Sequence, residues 1–135
     1  MACEITFTDH PDYLHVLVRG DNTLVTLRQY TAEIPKACLR LKKLRVLVVV
    51  ELTGPELSML DVYKGVSKGS DDAVGLGMKV AYVDENPAHS IDNMMLAENI
   101  GLSRGISVRT FRDSTSAEGW LLSDRSDGAE STHMP

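Results

Sequence analysis

Arg45-Val46-Leu47-Val48-Val49-Val50-Glu51-Leu52 is apolar at nearly every position. A strand of this kind cannot leave one face to water, and helices on both faces of a parallel sheet are the arrangement that covers it. The stretch therefore predicts an open α/β fold with this strand near its centre. On its N-terminal side, Ile5 to Thr8 alternates, Asp9-His10-Pro11-Asp12 supplies turn chemistry, and Leu14, Val16 and Val18 alternate with Tyr13, His15, Leu17 and Arg19, which reads as an antiparallel hairpin. After the breaker Gly20-Asp21-Asn22, the positions Leu24, Leu27, Thr31, Ile34, Cys38 and Leu41 recur at the three-four spacing of one helix face. They predict a helix from Thr23 to Lys42. Pro35 falls inside it and removes a backbone donor at about 3 kcal/mol in a regular helix, so a kink is expected there.

On the C-terminal side the strand is closed by Thr53-Gly54-Pro55, and a second helix is predicted from near Ser58 through Met59, Leu60, Val62, Tyr63 and Val66, with Gly69 to Gly77 as loop. Lys79 to Val83 reads as a strand ended by Asp84-Glu85-Asn86-Pro87, since proline cannot donate to a ladder. A third helix is expected from about Ser90 through Ile91, Met94, Met95, Ala97 and Glu98, with Gly101 near its end. Ile106 to Phe111 forms a last strand, and Thr115-Ser116-Ala117-Glu118 matches a capping box opening a helix that holds Trp120, Leu121 and Leu122. Residues 125–135 carry no apolar stripe and are expected to be disordered. The expectation is one domain, 1–124, with a mixed five-stranded sheet, an antiparallel N-terminal hairpin and about four helices.

A chain of 135 residues can bury one core without metal or disulfide support. Its two cysteines, Cys3 and Cys38, have no framework spacing and read as free thiols of a reducing compartment. A net charge of −5, no basic block longer than Lys42-Lys43 and few aromatics disfavour nucleic acid as a partner. The start lacks the charged-then-apolar pattern of a signal peptide, and no apolar run approaches the ~18 residues of a membrane span. A cytoplasmic protein is expected.

Val108-Arg109-Thr110-Phe111-Arg112-Asp113, with Ala117 and Trp120-Leu121 after it, resembles the closing signature of small bacterial SpoIIAA-like proteins, whose fold joins STAS and SEC14-type domains. Tyr30 and Pro35, Leu44 to Val48, Lys79 to Val83 and Ala97-Glu98-Asn99 extend the resemblance over about residues 4 to 123. These are mostly packing residues, so the resemblance bears on fold more than on activity. It implies either a phosphorylatable regulatory module or a carrier of an apolar ligand. In STAS-type antagonists a serine opening the helix after the central strand is phosphorylated by a partner kinase, and Ser58 occupies that place. The Asp-Ser-Gly type signature is replaced here by Leu57-Ser58-Met59.

Ser58-Met59-Leu60-Asp61 equally matches a plain helix cap. Glu51 and Asp84 fall at the C-terminal ends of two strands, the edge where open α/β sheets gather ligands, and a carboxylate pair there could bind a cation or act as acid and base. With no nucleophile, histidine or phosphate loop placed nearby, enzyme activity is the lesser reading. The four histidines, His10, His15, His89 and His133, show no ligand spacing, so no metal or other cofactor is implied. Gly75-Leu76-Gly77 lacks the third glycine and the preceding strand of a dinucleotide fingerprint. Met59, Met78, Met94 and Met95 could line an adaptable apolar pocket, or simply fill the core. The leading expectation is a non-enzymatic binding or regulatory module whose contact edge comprises Glu51, Thr53, Asp61, Tyr63 and Asp84. The alternative is a carrier with an apolar pocket between helices and sheet. Flat apolar surfaces in so small a domain would also suit a homodimer.

Overall fold

Two strands open the chain and helix then alternates with strand: β1 (Cys3–Asp9), β2 (Leu14–Asp21), α1 (Leu24–Leu41), β3 (Arg45–Thr53), α2 (Met59–Ala73), β4 (Lys79–Asp84), α3 (Ile91–Ser103), β5 (Ser107–Phe111) and α4 (Ser114–Leu121). The computed structural model describes residues 3–123, so the tail expected to be disordered, 125–135, lies outside the described residues. The sheet runs β1-β2-β3-β4-β5, antiparallel in its first pair and parallel in the rest. This is the mixed five-stranded α/β sheet with an N-terminal hairpin and four helices that the sequence predicts.

The strand order never reverses. Right-handed crossovers that all step the same way across a sheet place their helices on one face, and α1, α2 and α3 do share one face here. Among the described residues only α4 covers the other. Side chains alternate along β3, so Val46, Val48 and Val50 join Leu14, Val16 and Val18 of β2 and Leu27, Ile34 and Cys38 of α1 in the larger core. Leu47 points the opposite way and packs with Ala81, Val83, Ala117 and Leu121 beneath α4. The register Val16↔Val48 and Val18↔Val50 keeps each apolar set on its own side.

Each helix opens on a side chain that accepts a backbone N–H of its first turn: Thr23 from Thr26, Ser58 from Asp61, Ser90 from Asn93 and Asp113 from Ser116. The last of these corrects the expected capping box. α4 starts at Ser114 because the Asp113 carboxylate takes the Ser116 N–H at 2.7 Å, which leaves Thr115 inside the first turn. α1 runs through Pro35, which is buried against the core, to a left-handed Lys42 whose N–H returns to the Cys38 carbonyl. Cys3 and Cys38 are buried free thiols, and burial pushes Cys38 up to about 11. No helix among the described residues is long and apolar enough to cross a membrane.

A second correction concerns α2, which continues through Gly69 to Ala73 where a loop was expected. Its glycines serve close approach. A Cβ at Gly65 would lie 2.3 Å from Leu27 Cδ2, and one at Gly69 would lie 2.6 Å from Thr31 Cβ. Packing of α2 on α1 thus outweighs the ~1 kcal/mol that glycine costs in a helix.

Gly69→Ala tests this balance. Alanine gains up to ~1 kcal/mol of helix propensity, yet overpacking against the branched Thr31 typically costs 1–3 kcal/mol. The variant is expected to unfold at lower urea concentration than the wild type, whereas a solvent-facing helical glycine replaced by alanine would gain stability.

Candidate functional site

Three helices side by side over a twisted sheet do not fill all the space beneath them. Between α1, α2, α3 and strands β3 to β5 lies a pocket of about 190 Å3. Leu27 and Ile34 of α1, Val62 and Val66 of α2, Val80 of β4 and Val108 of β5 contribute to its apolar wall. Of the four methionines with pocket potential, Met78 and Met94 line it, while Met59 and Met95 face solvent.

Two hydroxyls meet inside this apolar surround. Tyr30 and Tyr82 approach to 3.2 Å between their oxygens. Burial pushes both phenols well above their usual range, so each remains protonated at neutral pH and can donate a hydrogen bond. Thr110 is the register partner of Tyr82, and its N–H and hydroxyl both donate to Glu98 Oε1, at 2.8 and 3.1 Å.

Asp84 sits on the same face of β4, two residues beyond Tyr82, and is buried. Its Oδ1 accepts the Asn86 N–H at 3.0 Å and its Oδ2 lies 2.7 Å from His89 Nδ1. The Nε2 of His89 lies 3.4 Å from Asn86 Nδ2 and 3.5 Å from both Asn22 Nδ2 and the Gly54 carbonyl. A neutral ring accepts there from the amides, and a protonated ring donates to the carbonyl. Arg112 donates to the carbonyls of Asp84, Asn86 and His89, and so grips the turn from β4 to α3 by its backbone. Asn22 donates to the Pro55 carbonyl, Asn93 to that of Leu57, and Glu56 Oε1 accepts the Ser90 N–H at 3.0 Å. That last bond, chiefly from the Ser90 backbone, holds the Glu56 carboxyl below its usual range. The loops after β2, β3 and β4 are thereby laced together at one end of the pocket.

The structure distributes the sequence-predicted residues differently. Asp84 is part of this site. Glu51 is exposed and paired with Arg19 at 2.8 Å on the sheet's other face. The register partner of Asp84 is Val50, and the neighbouring residue on a strand points to the opposite side, so Glu51 and Asp84 cannot form an acid–base pair. Thr53 ends β3 and donates to the Gly20 carbonyl at 3.3 Å. Ser58 caps α2, its Oγ accepting the Asp61 N–H at 3.1 Å, and Tyr63 faces solvent on that helix. Sequence reasoning placed no histidine near Asp84, and His89 corrects that. The available signal was the turn cluster from Asp84 to Pro87, which folds the chain back so that residue 89 meets residue 84.

Comparison of the chain with models of protein families and with curated proteins finds no match, which leaves the site's own chemistry to indicate what it does.

Arg112→Lys removes the planar fork while keeping the charge, and an ammonium cannot span the same carbonyls. Charged hydrogen bonds contribute about 1.5–3 kcal/mol, so a loss of that order is expected in denaturant unfolding. Faster amide exchange confined to the β4–α3 turn would accompany it.

Proposed function

We propose that this protein is a non-enzymatic binding module that holds a small, largely apolar ligand between its three-helix layer and the sheet. The pocket carries this reading. Well-packed domains leave few voids larger than a water molecule, and an apolar cavity of about 150 Å3 suffices to bind benzene, against about 190 Å3 here. The resemblance to SpoIIAA-like proteins, some of whose relatives carry apolar ligands, agrees with it. Catalysis is disfavoured by what faces His89, since its Nε2 meets the amides of Asn22 and Asn86 rather than a hydroxyl or thiol.

Toluene is the simplest probe. At a hundredfold excess over its Kd a ligand of the folded state adds about 2.7 kcal/mol of stability, which thermal melting detects readily. Ala97 lines the pocket, and Ala97→Phe is expected to leave the protein folded and to abolish the toluene-induced shift. A shift that survives Ala97→Phe, or no shift in the wild type, rules the reading out.

A second reading has its own observation. Ser58 is followed by three exposed large side chains, Met59, Leu60 and Tyr63, at 57, 60 and 51% exposure. Such a patch suits a protein partner, and a phosphate on Ser58 would be held by the free amides and dipole of α2 while adding up to two negative charges. Phosphopeptide mapping of protein from its native cell, with melting of Ser58→Ala, separates switch from cap. Loss of about 1 kcal/mol with no phosphate found leaves the cap alone.

A further inference from the structure

The charged lining of the pocket is one-sided. Glu56, Asp84 and Glu98 contribute to it, and among the described residues no lysine or arginine does. The basic groups nearest its polar end are already engaged, His89 with Asp84 and Arg112 with three backbone carbonyls. Both oxygens of Asp84 are occupied as well, by His89 and by the Asn86 N–H. Glu98 differs. Thr110 engages its Oε1, and among the described residues Oε2 has no hydrogen-bond partner.

Two further polar groups in the same pocket are under-used. Ser70 is only 7% exposed and lines the pocket, and its side-chain hydroxyl has no protein partner among the described residues. That hydroxyl still reaches water, which a ligand group can displace as its partner. The Tyr30–Tyr82 contact uses one hydroxyl hydrogen, which leaves the lone pairs of the donating oxygen and the hydrogen of the accepting one for a ligand. The serine and tyrosine hydroxyls can donate or accept, so the acceptor-only carboxylate of Glu98 decides for a ligand head rich in N–H. An anionic head would be brought against the partly buried Glu98, where like charges repel more strongly than in open water. A cationic head needs a partner if it is to leave water, and Glu98 supplies one.

Resting on the reading of this pocket as a ligand site, we propose that it selects a small amine, protonated at neutral pH, on an apolar body, with Glu98 as counter-ion. A volume of about 190 Å3 limits that body to roughly one aromatic ring or a chain of comparable size. Glycerolipids with two acyl chains do not fit inside.

The test is calorimetric titration of the full chain at pH 7 with hexylamine, 1-hexanol and hexanoate, which share a chain and differ in head charge. Hexylammonium is expected to bind about tenfold tighter than 1-hexanol, and hexanoate weaker than both. Glu98→Gln keeps an amide oxygen for the Thr110 N–H but removes the charge, and it is expected to bring hexylammonium and 1-hexanol to within about twofold of each other. Hexanoate binding as tightly as hexylammonium, or an unchanged amine-to-alcohol ratio in Glu98→Gln, overturns the amine assignment. Should Glu98→Gln fail to fold, the ranking in the wild type decides. Toluene binding without an amine preference overturns this inference alone, whereas a wild type that binds neither toluene nor any of the three removes the pocket reading with it.

Discussion

Each parallel crossover in this chain advances one strand in the same direction, and the handedness of that connection puts α1, α2 and α3 on a single face. Most other features follow. In doubly wound sheets the strand order reverses, and ligands gather in the crevice at the reversal. This sheet has no such point, so its strand ends form no crevice of that kind. The concavity lies instead under the helical layer, where three cylinders meet a twisted surface. Among the described residues the opposite face carries only α4, whose Ala117 and Leu121 reach Leu47, Ala81 and Val83. The two faces therefore do different work.

Close approach and open space coexist on the helical face. Gly65 and Gly69 let α2 press on Leu27 and Thr31, and Gly101 lets α3 press on Val108 of β5, where a Cβ would lie 2.6 Å from Val108 Cγ1. Tight contacts along these lines hold the helices in place around a space that their side chains do not fill. The space, about 190 Å3, is partly open to solvent. An apolar ligand seated there would free its mostly apolar wall from water.

The rim of the pocket is stiffened by hydrogen bonds rather than by burial of apolar area. Asp84 and His89 face each other across a turn that Arg112 holds by its carbonyls, and side chains of Asn22, Glu56 and Asn93 bridge from one loop to the next. A buried carboxylate persists in such a place because both its oxygens have donors. The network fixes the end of the cavity near Tyr30 and Tyr82, and with it the position of the polar groups that a ligand head would meet. Binding then requires little ordering of loops, which favours affinity for small molecules that have little surface to offer.

Local pattern made much of the architecture legible. The uninterrupted run around Val48 specified a strand covered on both faces, alternation in β1 and β2 specified the hairpin, and turn clusters marked most element ends. Where the reading failed, a distant contact had overruled a local preference. Gly69 reads as a loop residue until Thr31 of another helix is seen against it, and Thr115 reads as a cap until Asp113 is seen to take the amide first. The pairing of Glu51 with Asp84 failed for a related reason, because only the inter-strand register tells which residue of one strand faces which of the next. His89, Glu98 and Ser70 carried no spacing signal at all. They come from a turn and two helices, and a one-dimensional pattern records periodicity within an element but not which side chains converge when separate elements pack. Strands and helices were thus written into the chain by hydrophobic period and turn chemistry, whereas the pocket and its acidic lining exist only once crossover handedness and helix packing bring those elements together.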